Sequence, residues 1–210
     1  MLRTRIKICG ITRPEDARAA AEAGADAVGL VFYAHSPRVL DLPAAREVVA
    51  AVPPFVSRVA LFLNPAAADV QAVVDTLRPD LLQFHGEESP EFCGCFGVPY
   101  MKAVPMGDPD TDPAAYAERF ADAHALLLDS HRVGEAGGRG EGFDWARGGG
   151  QAKPVVLAGG LVPDNVADAI RRTRPYAVDV SSGVESAPGV KDADRMRAFA
   201  EAVNRSDRER

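Results

Sequence analysis

The run Arg5-Ile6-Lys7-Ile8-Cys9-Gly10-Ile11-Thr12 carries a strand-forming stretch onto a thiol, and Pro14-Glu15-Asp16 then open a helix. A thiol at the carboxyl end of a strand faces whatever cavity the fold builds there. In a parallel α/β barrel that end carries the chemistry, which makes Cys9 the first candidate for a catalytic group. Polar endings recur along the chain: Phe32 to Arg38, Gln83-Phe84-His85-Gly86, Leu127-Leu128-Asp129-Ser130, Ala158-Gly159-Gly160-Leu161 and Val178-Asp179-Val180-Ser181-Ser182-Gly183. Packing alone does not produce such a convergence of polar groups and glycines. The pairs Gly159-Gly160 and Ser182-Gly183 suit a phosphate, because glycine lets backbone N–H groups approach an anion and a helix dipole adds attraction.

These endings need strands to carry them. Eight short apolar runs qualify: Ile6–Cys9, Ala27–Phe32, Val56–Phe62, Leu81–Phe84, Tyr100–Val104, Ala125–Asp129, Val155–Ala158 and Ala177–Val180. Most are continuously apolar, as expected for parallel strands covered by helices. Between them the helix candidates are Pro14–Ala23, Pro43–Val52, Ala66–Leu77, Ser89–Phe96, Ala114–Ala123, Pro163–Arg172 and Ala193–Val203, with a stunted one around Phe143–Ala146. Proline recurs near helix starts, where its missing N–H costs nothing. The alternation predicts an α/β fold, a single-domain (β/α)8 TIM barrel with a parallel eight-stranded sheet. Residues 1–204 are expected to form the barrel, and 205–210 a polar tail that frays.

A chain of 210 residues with 47% hydrophobic and 26% charged residues is an ordinary globular domain. Its net charge of -6 argues against nucleic acid as partner. A small anionic ligand remains compatible, because local dipoles hold phosphate in acidic proteins. No apolar run approaches a membrane span, and the start passes into the first strand without a signal-like segment. Three cysteines, Cys9, Cys93 and Cys95, make no disulfide framework. A reduced, cytoplasmic protein is expected. Cys93 and Cys95 lack partners at zinc spacing and read as packing or surface thiols, so no metal site is expected.

Seven motifs in order then carry a resemblance: Lys7 to Thr12, Ser36-Pro37-Arg38, Gln83 to Gly86, Leu127 to Ser130, Phe143-Asp144-Trp145, Ala158 to Leu161 and Asp179 to Glu185. Together they span nearly the whole chain, and the set resembles the phosphoribosylanthranilate isomerase family of tryptophan biosynthesis. The resemblance implies a cofactor-free Amadori rearrangement of a phosphosugar, N-(5'-phosphoribosyl)anthranilate, in a monomer or homodimer. It makes Asp129 the general acid that opens the ribose ring and Cys9 the base that takes the C2' proton. Arg38 is implied as the contact for the anthranilate carboxylate, and Gly138 joins Gly159, Gly160, Ser182 and Gly183 around the phosphate. In the strand-six loop Arg139 stands where such sequences usually carry Thr.

The acid role favours a raised Asp129 pKa, and the base role a Cys9 thiol lowered by a cation. Lys7, two residues before Cys9, shares its face of the strand and should point into the barrel. Asp179, on the strand closing the barrel beside it, is its expected partner and a possible contact for a ribose hydroxyl. His85 reads equally as a substrate contact or as a hydrogen-bonding member of the rim. Two other readings stay open: a related isomerase acting on the histidine-pathway aminoimidazole, which would use two carboxylates, and a catalytically silent phosphate-binding barrel.

Overall fold

The computed structural model describes residues 3–132, 145–148 and 152–209. Gly138, Arg139, Phe143 and Asp144, and with them most of the strand-six loop, lie outside the described residues. Strands β1 (Arg5–Cys9), β2 (Ala27–Val31), β3 (Ser57–Phe62), β4 (Leu81–Phe84), β5 (Tyr100–Pro105), β6 (Ala125–Asp129), β7 (Val155–Leu157) and β8 (Ala177–Val180) form a closed parallel barrel in sequence order. The ring closes where Lys7 of β1 pairs in register with Asp179 of β8.

Helices α1 (Pro14–Glu22), α2 (Leu42–Ala51), α3 (Ala67–Leu77), α4 (Pro90–Gly94), α5 (Pro113–Arg119), α6 (Val166–Thr173) and α7 (Ala193–Arg208) cover the outside. Local chemistry sets their ends. Asp41, Ser89, Asp112 and Asp192 accept the N–H groups of Ala44, Phe92, Ala114 and Asp194, which satisfies otherwise orphaned donors. Arg78 and Arg174 turn left-handed at the ends of α3 and α6, each followed by a proline that cannot continue a helix. Helix α6 starts three residues later than Pro163, because the Asn165 side chain ties down the preceding turn by bonding Val162 N–H and the Gly160 carbonyl.

The C-terminal stretch departs from expectation. Instead of fraying, residues 204–208 continue α7 to Arg208. Asp207 accepts from both the backbone N–H (2.6 Å) and the hydroxyl (2.8 Å) of Thr4, so the end of the chain locks onto the entry to β1. Ser206, on the inner face of the same helix, is buried.

Side chains alternate between two cores. Ile6, Ile8, Val28, Leu30, Phe62 and Phe84 face outward against the helices. Val59, Met101, Ala103, Leu127, Val156 and Ala177 fill the barrel interior. This inner plug leaves the carboxyl end of the barrel as the open one. After β8 a short 3-10 turn, Ser182–Val184, leads into a hairpin of β9 (Glu185–Ala187) and β10 (Val190–Lys191) beside that rim.

Candidate active site

The inward parity of β1 puts Lys7 and Cys9 on the barrel's inner face, as their two-residue spacing predicts. Lys7 Nζ lies 2.8 Å from Asp179 Oδ1, and both side chains are buried. Burial disfavours the ammonium, but Asp179 and Cys9 outweigh it, so the Lys7 pKa ends above its ordinary value. Cys9 sits one layer higher at the mouth. Its neighbour across β2 is Gly29, where a Cβ would come within 2.7 Å of the Cys9 sulfur. Only glycine leaves room for the thiol there.

At the end of β6, Asp129 is held from three sides. Its Oδ1 accepts the Ser130 backbone N–H at 2.8 Å. Its Oδ2 faces two imidazoles: His85 Nε2 at 3.2 Å and His131 Nδ1 at 3.3 Å. The His85 and His131 rings lie tilted at 37° to each other with centroids 4.3 Å apart. Behind them Gln83 places its amide nitrogen 3.1 Å from His85 Nδ1. The His131 contact lacks hydrogen-bond alignment, and His131 Nδ1 and Gln83 Oε1 are buried without another partner among the described residues.

Both expected ionisation shifts are reversed. Burial pushes the Asp129 carboxyl up, but the imidazoles of His131 and His85 outweigh it and hold it well below the usual carboxylate range. Burial pushes the Cys9 thiol up, and Lys7 only partly offsets this. The cation expected to ionise Cys9 is present, but it is already satisfied by Asp179. The site therefore holds its proton on the thiol and its charge on the carboxylate.

Arg38 enters the rim from the β2–α2 connection and is not free. Its Nε and Nη2 each lie 2.7 Å from a Glu185 carboxylate oxygen, a two-point fork. Lys191 Nζ reaches the same carboxylate at 2.7 Å. Burial raises the Glu185 carboxyl, but Arg38 and Lys191 together bring it below its ordinary value. The β9–β10 hairpin thus brings an anion and a cation to the site.

Glycines shape the opposite rim. Gly159 adopts φ +81°, and a Cβ there would press on Ser130. A Cβ on Gly183 would collide with the Leu161 carbonyl, so the loops after β7 and β8 close on each other. Cys9, Arg38, His85, Asp129, Gly159, Gly160, Asp179, Ser182 and Gly183 all line one cavity of about 870 Å³, open mouth included. Lys7 lies just below it, and Gly138 is outside the described residues.

Sequence reasoning passed over His131, Gln83, Glu185 and Lys191. His131 lies two residues past Asp129, so period-two spacing could have found it on the same face. Gln83 shares the face of His85 by the same parity. Lys191 gives no local signal, because only the hairpin carries it back to the rim.

The model of the N-(5'-phosphoribosyl)anthranilate (PRA) isomerase family matches residues 6–202. The N-(5'-phosphoribosyl)anthranilate isomerase of Halorhodospira halophila is 54% identical over 206 residues, covering 98% of this chain and 99% of the relative. A phosphoribosylanthranilate isomerase crystallised with reduced 1-(o-carboxyphenylamino)-1-deoxyribulose 5-phosphate superposes with TM-score 0.81 at 37% identity, over 96% of this chain and 98% of the other. Monomers generated from the dimeric Thermotoga maritima phosphoribosylanthranilate isomerase give TM-score 0.79 at 35% identity, over 96% and 98%.

Proposed function

This chain belongs to the N-(5'-phosphoribosyl)anthranilate isomerase family, and from that premise we propose how its barrel mouth works. It is an isomerase of tryptophan biosynthesis that converts N-(5'-phosphoribosyl)anthranilate into 1-(2-carboxyphenylamino)-1-deoxyribulose 5-phosphate. The observation that carries the assignment of roles is the placing of the Cys9 thiol and the Asp129 carboxylate on the walls of a single cavity.

Asp129 gives a proton to the ribose ring oxygen as the C1'–O bond breaks, and the anilino nitrogen's electron pair forms the iminium. Cys9 as thiolate then removes the C2' proton, and the C2'–H electrons neutralise the iminium to give an enolamine. Ketonisation at C2' with protonation at C1' completes the product. C1' is reduced and C2' oxidised within one molecule, so the reaction is an intramolecular redox isomerisation that needs no cofactor.

Since the resting proton sits on Cys9 and not on Asp129, turnover draws on the minority form with the proton exchanged. Lys7, paired to Asp179, places a positive field under Cys9 that stabilises the thiolate when it forms. Arg38 presents its guanidinium to the anthranilate carboxylate while Glu185 fixes the plane of the fork. Asp179 is within reach of a ribose hydroxyl at the cavity wall. Gly138, Gly159, Gly160, Ser182 and Gly183 take the 5'-phosphate, as the loops after strands seven and eight do in barrels of this kind. His85 acts through Asp129, orienting its carboxylate.

We place the chain in the cytoplasm, as a monomer or homodimer. Among the described residues no helix is long and apolar enough to cross a membrane.

Freshly prepared phosphoribosylanthranilate, followed by loss of its fluorescence, tests the activity. Wild-type protein should consume it far faster than its spontaneous breakdown. If well-folded protein does not, the isomerase reading fails, and turnover of the histidine-pathway aminoimidazole is the next assay.

A further inference from the structure

The cluster around Asp129 contains more nitrogen than an acid needs. His85 Nε2 and His131 Nδ1 converge on the same oxygen, Asp129 Oδ2, at 3.2 and 3.3 Å. The ligating atoms of the three side chains all lie within 4.8 Å of one another, and all three residues are buried. Two ligands about 2.0–2.1 Å from zinc at the tetrahedral angle stand about 3.4 Å apart. The two distances to Asp129 Oδ2 match two edges of such a tetrahedron.

Two orphaned atoms point the same way. His131 Nδ1, on a side chain 3% exposed, has no aligned hydrogen-bond partner among the described residues. Gln83 Oε1 is also buried and unpartnered, while the amide nitrogen faces His85 Nδ1. Turning that amide over by 180° would give Oε1 an N–H to accept from His85 Nδ1. The lone pair of His85 would then lie on Nε2, facing the cluster, with the outer-shell hydrogen bond that metal-bound histidines carry. Asp129 Oδ1 already has its own outer-shell partner in the Ser130 N–H. One cation between the three atoms thus gives His131 Nδ1 the partner it lacks.

We propose that His85, Asp129 and His131 form a site for one divalent transition metal of the zinc class. Its fourth position opens to the cavity that His85 and Asp129 line. Occupancy ties up the Asp129 carboxylate as a ligand, so the metal is a reversible inhibitor. The binding claim stands without the isomerase reading; the inhibition rests on it.

The test is a Co²⁺ titration of EDTA-treated, full-length protein, read by visible absorption. One Co²⁺ per chain with the strong d–d bands of a tetrahedral ion is expected, with displacement by Zn²⁺. Loss of an outer-shell partner weakens metal binding about 10–100-fold, so Gln83→Leu should fall in that range, and His131→Ala or His85→Ala beyond it. Cys95→Ser should leave the spectrum unchanged. His131→Asn, which keeps a buried polar group, replaces His131→Ala if thermal melting shows that variant unfolded. Absence of tetrahedral bands, or bands that survive both histidine substitutions, would overturn the site. Zn²⁺ should abolish wild-type turnover and EDTA restore it. Turnover untouched by Zn²⁺ while the cobalt bands form would overturn the inhibitory role alone, and a protein that binds cobalt but never turns over substrate would count against the isomerase reading instead.

Discussion

At the residue scale, the reversed ionisation of Cys9 and Asp129 has a kinetic consequence. The active form, with thiolate and carboxylic acid, carries the same number of protons as the resting form, with thiol and carboxylate. Its share is small but independent of pH as long as pH lies between the two values. Asp129 is held below the ordinary carboxylate range and Cys9 above the ordinary thiol value, so that window is wide. The pH profile of kcat/KM should therefore be flat across at least about pH 5–8, falling only outside it. A tenfold rise per pH unit through neutrality would mean that turnover waits on Cys9 ionisation alone. The positions of these groups were readable in the sequence, because strand parity puts Lys7, Cys9, Asp129 and Asp179 inward and ring closure pairs Lys7 with Asp179. Their ionisation was not, since burial and the His85 imidazole depend on segments far apart in sequence.

At the element scale, β5 and the β4–α4 connection are joined by an ion pair behind the barrel wall. Lys102 Nζ lies 3.0 Å from Glu88 Oε2, and both side chains are 2% exposed. Lys102 also donates to the Phe84 carbonyl at 3.3 Å and to that of Gly86, while the Glu88 carboxylate accepts the N–H groups of Asn64 and Gly86. These bonds set the loop directly after His85. Glu88→Ala strands a buried ammonium and should cost about 3–5 kcal/mol of stability. The urea midpoint of the variant measures this, and a loss under about 1 kcal/mol would show the lysine reaching water instead. Strand limits were legible to within a residue or so, because continuous apolar runs between prolines and glycines leave little choice. Helix limits were less so. Asn165 delays α6 through side-chain bonds that composition does not reveal, and α4 is shorter than its polar pattern suggests.

At the scale of the whole molecule, the barrel is closed twice: by the β1–β8 pairing, and by α7 returning to the N-terminal strand. Thr4 gives both its N–H and its hydroxyl to Asp207, and Ser206 beside it is buried on the inner face of the helix. Deleting residues 204–210 removes charge-assisted hydrogen bonds worth about 1.5–3 kcal/mol each. Two such bonds amount to about 3–6 kcal/mol, and at about 2–4 °C per kcal/mol for a chain of this size the melting temperature should fall by about 6 °C or more. An unchanged melting curve would mean that the last turn does not hold β1. The polar composition of this segment suggested a loose tail because it lacks large apolar residues. Its stability comes from a helix already anchored by Met196, Phe199 and Val203, which the final turn merely extends.

Everything about function converges on a proton passing between the reacting sugar and two groups on the walls of one cavity. Cys9→Ala and Asp129→Asn should each lower kcat by about 10²–10⁴-fold. Both should still bind reduced 1-(o-carboxyphenylamino)-1-deoxyribulose 5-phosphate within a few-fold of wild type, since Arg38 and the glycine loops are untouched. Single-turnover kinetics with that binding control is the most direct measurement. Large kcat losses with binding retained are the predicted result; near-wild-type turnover in either variant would contradict the acid–base pair.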